Sequence, residues 1–507
     1  MARRALKAHL ISALPKLGWV ASIPLVAGDV TVFHGDAVEH TDEWVVEGVW
    51  DAPFEQGDFH KSEAFFGSGL RINGEEVVAC ASTALVDRLL YYVTADHLIV
   101  SNSLLILLAV SGSRLDVAHD YSPDCRASMW GIFQQPRLFH VEHSSGIAFS
   151  QLYHGNLIVS GGVSSVQLRT TRHRISSFEE YVTSLRSILK RIWSNYKSTS
   201  RRIPLSAYTT VSSGYDSAAT SCLVKELGVT ECFTTSPART VDGADALEDG
   251  GAIAVALGLH PHRLVPPSEE VSPDEAYFIA SSVWGSELIF HSMAKQIETR
   301  AGVSILFTGY HGDKVWDIHT SGLYLADDIR RGDSSGLNLS EIRLKSGFVN
   351  VAVPFLFARS IQDLVQLARS EAMAPWRTDT GYDRPIPRRI IESAGVPREL
   401  FGQRKRAVWG YYNYPFNLAL RRAFIEWLDE RFGFGRVRVG AYEMVSAIDW
   451  RLAQTATMLG IGSQAAGVPR TLKRLIFQGQ DLRHLMFKWA GNHLCDRLVQ
   501  QLGRNPF

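Results

Sequence analysis

Two short stretches of the chain carry residue types suited to holding a polyphosphate. The first is Ser212-Ser213-Gly214-Tyr215-Asp216-Ser217, which follows a strand-like run (205–211) and opens a helix-like run (217–227) closed by Gly228. A tight loop of small residues presents backbone N–H groups, and a helix N-terminus behind it adds the positive end of its dipole. Together they cradle pyrophosphate. Asp216 offers a carboxylate to the Mg²⁺ that accompanies a nucleoside triphosphate. By itself the stretch reads equally well as a strand-to-helix turn with Asp216 and Ser217 as caps. The second stretch, Thr308-Gly309-Tyr310-His311-Gly312-Asp313, ends another strand-like run three strands later. Asp313 is a second carboxylate placed to share the metal, although glycines at 309 and 312 also suit an ordinary turn. Two such loops at the carboxyl ends of strands in one sheet point to a nucleotide site, with Ser212, Ser213, Gly214, Asp216, Ser217, Thr308 and Gly309 as its binding residues.

The elements that must position these loops are legible in the hydrophobic pattern. Residues 177–196 form an amphipathic helix with Phe178, Tyr181, Leu185, Ile188 and Ile192 on one face. Strands at 205–211, 231–235, 262–265 and 304–308 alternate with helices at 217–227, 244–257 and 273–299, the pattern of a parallel sheet covered by helices. The first 170 residues are β-rich instead. Runs at 44–50, 69–72 and 76–81 read as strands, with Asn73-Gly74 as a hairpin turn between the last two. Residues 88–109 read as a further strand pair turning near Ala95-Asp96. The last third is helical, notably 424–432 and 473–502. There Arg483, His484, Leu485, Phe487 and Trp489 interleave charge with apolar bulk, as on a packed helix with one solvated face.

A length of 507 residues calls for at least two cores, and 46% hydrophobic with 21% charged residues is a globular composition. Lys plus Arg (52) balances Asp plus Glu (52), so no long-range field draws the chain to nucleic acid or an anionic membrane. Cys80, Cys125, Cys222, Cys232 and Cys495 form no CxxC pair, which argues for reduced thiols in a cytoplasmic protein, with Cys222 on a helix and Cys232 in a strand read as small buried hydrophobes. Arg3, Arg4 and Lys7 precede an uncharged stretch at 17–28, but Gly18, Ser22 and Pro24 interrupt it. Export is not expected, and no apolar run is long enough to span a bilayer.

The paired loops resemble the asparagine synthetase superfamily, whose synthetase domain carries S-G-G-x-D-S and later S-G-x-G-x-D. This chain reads S-S-G-Y-D-S and T-G-Y-H-G-D, departing at Ser213 and around His311. Residues 79–109 are also similar to the family's "laRDrlGirPLYY…FaSeikaLl" stretch, with Asp87-Arg88, Tyr91-Tyr92 and 101–108 in step. The resemblance implies two domains. One, at 1–175, is a degenerate N-terminal-nucleophile-type β-sandwich. The other, at 176–507, is a parallel-sheet ATP-pyrophosphatase domain with a helical C-terminal part. Amidotransferases of the family use a cysteine at the mature N-terminus, whose α-amine serves as base. Here Met1-Ala2 opens the chain and the first cysteine is Cys80, so no glutaminase activity is expected. Asn73-Gly74-Glu75 resembles the family's N-G-E motif, but a hairpin turn explains it better.

The resemblance further implies ATP and Mg²⁺ as cofactors, Asp216 and Asp313 as metal ligands, and roles for three other residues. Tyr310 stands where β-lactam synthetases carry a Tyr that helps deprotonate the attacking amine. Those enzymes pair it with a downstream Glu, and Glu341 is the nearest candidate. Lys405, in Gln403-Arg404-Lys405-Arg406, matches a Lys that contacts the phosphates and the developing charge. The expected activity is an AMP-forming ligase or cyclase that adenylates a carboxylate and couples it to an amine. The substrates are small molecules or peptides, with a homodimer left open, and a lasso-peptide macrolactam cyclase is one alternative. A catalytically silent nucleotide-binding scaffold or sensor is another, and intact Asp216, Asp313 and Lys405 argue against it. An RNA sulfur-transfer enzyme would need an exposed cysteine and a basic surface.

Overall fold

The computed structural model describes residues 4–169, 171–235, 249–284, 287–378, 380–403, 414–458, 476–477 and 481–502. Two sheets built from the first 170 residues lie face to face. One has seven strands and the other six, the latter centred on Trp44–Trp50, Phe65–Asn73 and Glu76–Cys80. Their alternation shows why the sandwich is closed on both sides. Val77 and Ala79 point into the layer between the sheets with Ala21, Ile23 and Val100. Val78 and Cys80, from the same strand, point outward into an aromatic cluster of Trp44, Trp50, Phe54, Phe59 and Phe65. The seven-stranded sheet buries its outer face too, against the helices Leu104–Ser111 and Leu482–Leu502. The Asn73-Gly74 turn joins Phe65–Asn73 to Glu76–Cys80 as expected, with Asn73 opposite Glu76.

The expected strand pair over 88–109 is half right. Leu89–Val93 and His97–Ser101 pair, but the chain then turns at Ser103 into the helix Leu104–Ser111, whose N-terminus the Ser103 hydroxyl caps by accepting from Ile106 N (3.2 Å). The run Leu104–Leu108 is buried on every side, so its pattern carries no period to separate helix from strand.

The second half holds a five-stranded sheet, parallel throughout: β1 Leu205–Thr210, β2 Glu231–Thr235, β3 His260–Leu264, β4 Val303–Thr308 and β5 Phe348–Ala352, in the order β3-β2-β1-β4-β5. The chain builds outward from β1 in one direction, then returns to build outward from β4 in the other. The sheet thus changes its direction of growth between neighbouring β1 and β4, the place where a parallel sheet leaves a crevice beyond its carboxyl ends. The expected helix over 273–299 is interrupted: Glu275–Ser281 ends at Ser282 in extended conformation, and a 3₁₀ turn at Leu288–Phe290 precedes His291–Glu298. Among the described residues no helix is long and apolar enough to cross a membrane.

One short helix, Ser340–Ser346, ties the halves together. Arg343 is 1% exposed and makes two bonds to Glu47, Nη1 to Oε2 at 2.9 Å and Nη2 to Oε1 at 3.0 Å, and a third from Nε to Asp87. Burial pushes the Asp87 carboxyl up to about 6 against the opposing pull of Arg343. Replacing Arg343 by Met should leave two buried carboxylates without their cation and cost about 3–5 kcal/mol. Urea unfolding followed by tryptophan fluorescence measures this, and an unchanged midpoint would show that the cluster adds nothing to the interface.

Candidate nucleotide site

The first loop is stitched to the helix that follows it, Tyr215–Lys225. Ser212 N donates to Ser217 Oγ (3.0 Å), the two hydroxyls lie 2.7 Å apart, and Gly214 N donates to Ser212 Oγ (3.3 Å). These bonds curl the backbone over the helix N-terminus and fix Asp216 in its first turn. The second loop leaves β4 through Thr308, whose hydroxyl donates to Asn350 Oδ1 on β5 (2.7 Å). It then packs on Asp216 more closely than any side chain allows. A Cβ at Gly309 would lie 2.5 Å from the Asp216 carbonyl carbon, and one at Gly312 would lie 2.6 Å from Asp216 Cγ. His311 between them adopts φ 71°, the left-handed region that favours glycine. Its ring is buried and stacked on Phe355 (centroids 4.6 Å, 13°), and burial pushes its imidazole down to about 3.

Between the loops lies a cavity of about 410 Å³. Ser212, Gly214, Asp216, Ser217, Thr308, Gly309, Tyr310 and Asp313 line it, together with His311. Its far wall is apolar: Phe233, Leu264, Phe290, Met293, Leu306 and Leu339. Ser213 does not line the cavity. Its carbonyl accepts from Gly402 N (2.8 Å), which fastens the segment before Lys405 to the first loop. Lys405 itself lies outside the described residues.

The two carboxylates have different surroundings. Burial raises the Asp216 carboxyl, opposed by Arg384, whose Nη1 donates to Asp216 Oδ2; the charges of Asp313 and Asp317 add to the rise. Oδ1 of Asp216 is buried and without a hydrogen-bond partner among the described residues. Asp313 is also opposed by burial, but Lys314 (Nζ–Oδ2 3.3 Å), His311 and Arg384 outweigh it and hold the carboxyl below its ordinary range. Among the described residues no group of three or more His, Cys, Asp or Glu is arranged to hold a metal. A pair of carboxylates with one free oxygen suits Mg²⁺, which keeps most of its shell as water and substrate phosphate.

The sequence-based pairing of Tyr310 with Glu341 is corrected by the structure. Glu341 accepts from Ser103 Oγ (2.6 Å) and Leu104 N (2.8 Å), so both its oxygens cap the helix Leu104–Ser111. It is buried and does not line the cavity. Tyr310 instead donates its hydroxyl to Glu287 Oε1 (2.7 Å), which also accepts from Gly336 N (2.6 Å). Burial pushes the Glu287 carboxyl up to about 7 despite both hydrogen bonds, and burial likewise raises the Tyr310 phenol. Glu287 reaches this position because the helix expected over 273–299 breaks just before it. Gly285-Ser286 is the signal in the sequence that marks such a break. Arg384 gives no comparable signal. All five thiols are free and buried, and burial raises each pKa, those of Cys80, Cys222, Cys232 and Cys495 to about 12.

No protein-family model matches the chain, and no curated protein matches it. Among solved structures, the glutamine phosphoribosylpyrophosphate amidotransferase from B. subtilis complexed with ADP and GMP aligns at 8% identity with a TM-score of 0.17. The alignment covers 71% of this chain and 91% of that one. At that score the likeness carries no argument about fold or activity.

The glycine contacts make a direct prediction. Gly312→Ala places a methyl against Asp216 and should cost about 1–3 kcal/mol. Gly440→Ala, on an open helix position, should be neutral or stabilise by up to about 1 kcal/mol. Thermal unfolding of the two variants checks this. Equal melting temperatures would mean that the loops are not in contact.

Proposed function

We propose that this protein is an ATP-dependent, AMP-forming ligase that adenylates a carboxylate and couples it to an amine. It would be an asparagine-synthetase-like ATP-pyrophosphatase domain carried on a degenerate amidotransferase-like sandwich. The observation that carries this reading is the meeting of two small-residue loops, each with one aspartate, at the point where the parallel sheet reverses its order of strand addition.

In this reading the loop 212–217 and the N-terminus of Tyr215–Lys225 hold the phosphates, and Asp216 and Asp313 would hold Mg²⁺. Bound there, the metal would neutralise phosphate charge. The substrate carboxylate attacks the α-phosphorus of ATP, giving an acyl-adenylate and releasing pyrophosphate. An amine then attacks the acyl carbon and AMP leaves. Tyr310 takes the proton of the attacking nitrogen as it passes its own to Glu287, whose pKa near neutrality suits an acceptor at physiological pH. Buried thiols raised by burial leave no cysteine suited to glutamine hydrolysis, so the amine comes from a substrate.

The two half-reactions separate these roles. A screen of carboxylates for pyrophosphate release identifies the acid. Asp216→Asn and Asp313→Asn should then abolish exchange of labelled pyrophosphate into ATP. Tyr310→Phe and Glu287→Gln should keep that exchange and lose about 10²–10⁴-fold in amide formation. Glu287 accepts a proton only when ionised, so the amide-forming rate should rise with pH through about 7, and Glu287→Gln should remove that inflection. Undiminished exchange in both aspartate variants would refute the nucleotide site. Amide formed at the parental rate by Tyr310→Phe would refute the relay.

A further inference from the structure

Arg384 has no counterpart among the roles assigned above. It precedes the helix Pro385–Ser393, its side chain is 2% exposed, and it lines the nucleotide cavity. Nη1 donates to Asp216 Oδ2 across 168 residues of sequence, and the guanidinium lies 5.0 Å over the Tyr382 ring. Nε stands 3.6 Å from Asp317 Oδ2 and makes no hydrogen bond among the described residues. Three carboxylates thus converge here, those of Asp216, Asp313 and Asp317. Among the described residues, the buried Arg384 and the half-buried Lys314, which pairs with Asp313, stand against them.

A guanidinium so placed has opposite effects on two kinds of ligand. It repels a bare divalent cation and occupies one of the oxygens that cation needs. It attracts a polyphosphate, for which its planar fork is well shaped. Resting on the nucleotide-site reading, we propose that Arg384 is an exchangeable counter-ion: it holds Asp216 in the absence of ligand and transfers to the phosphates when metal and nucleotide enter together. The site then discriminates against metal alone. The Asp216 oxygen freed by Arg384 passes to the metal, and the charge freed on Arg384 passes to the phosphate, so no buried group is left unpaired.

Binding measurements without turnover test this on the full chain. Mn²⁺ binding is read from the free-ion electron paramagnetic resonance signal. Binding of α,β-methylene-ATP is read by calorimetry in EDTA and again in Mg²⁺. Arg384→Met should bind Mn²⁺ alone about tenfold more tightly than the parent and bind the metal-free nucleotide about 10–100-fold more weakly. Arg384→Lys keeps the charge and should move both affinities back toward the parent. Asp216→Asn, which releases Arg384 from its partner, should lose Mn²⁺ binding yet bind the metal-free nucleotide at least as tightly as the parent. A residue that merely packs on Tyr382 would weaken both ligands together in Arg384→Met. That result, or unchanged affinities, or loss of metal-free binding in Asp216→Asn, overturns the proposal. Should Arg384→Met lack the parent's circular dichroism, the Lys and Asn variants decide alone. A parent chain that binds no nucleotide with Mg²⁺ would overturn the nucleotide site and this inference with it. Binding by the parent with unaltered variants would overturn the inference alone.

Discussion

Everything at the site depends on how closely the second loop approaches Asp216. Gly309 touches the Asp216 backbone and Gly312 its carboxylate, at distances where only a hydrogen fits. That contact brings Asp216 and Asp313 into one electrostatic environment although 97 residues separate them, so the charge of Asp313 adds to the rise of the Asp216 carboxyl. The sheet makes the contact possible. β1 and β4 are adjacent and parallel, so the loops at their carboxyl ends lie side by side, and the helices Tyr215–Lys225 and Gly312–Val315 that follow them meet there. The stitching of Ser212 to Ser217 then fixes the first loop, and the Thr308–Asn350 bond anchors the root of the second.

The N-terminal sandwich is part of this arrangement. Helix Ser340–Ser346 lies just before β5, and from it Arg343 and Glu341 both reach into the first half of the chain. One neutralises two buried carboxylates and the other caps Leu104–Ser111. Glu341 is therefore a joint between the halves rather than a proton carrier. Val86 of the sandwich reaches the back of the site itself, where a Cβ on Gly336 would lie 2.6 Å from Val86 and 3.2 Å from Tyr310. The Tyr310–Glu287 pair is thus walled in by residues from both halves, and the desolvation that raises both groups follows from that.

What was legible in the sequence follows from the range of the interactions involved. Four of the five parallel strands, the loops after β1 and β4, and the Asn73-Gly74 hairpin are written in local periodicity and turn chemistry and stand close to the expected places, whereas β5 was not expected. The helix over 177–196 is announced by its apolar face, and Ser177 caps it by accepting from Glu180 N. Side-chain pairings had no such signal. Nothing local distinguishes Glu287 from Glu341 as the partner of Tyr310, and Glu341 was expected only because the resemblance implied a partner downstream. The helix before Glu287 ends at Ser282, and the nearest turn-prone pair in the sequence, Gly285-Ser286, comes three residues later. Arg384 and Asp216 meet only because the helix Pro385–Ser393 packs on Tyr215–Lys225. The run Leu104–Leu108, buried throughout, was indistinguishable from a buried strand for want of a polar face.

The most direct measurement is a crystal structure of the chain with α,β-methylene-ATP and Mg²⁺. The account predicts the triphosphate against the backbone of 212–217, with the metal between it and the carboxylates of Asp216 and Asp313. A nucleotide bound elsewhere, or phosphates held away from both loops, would contradict it.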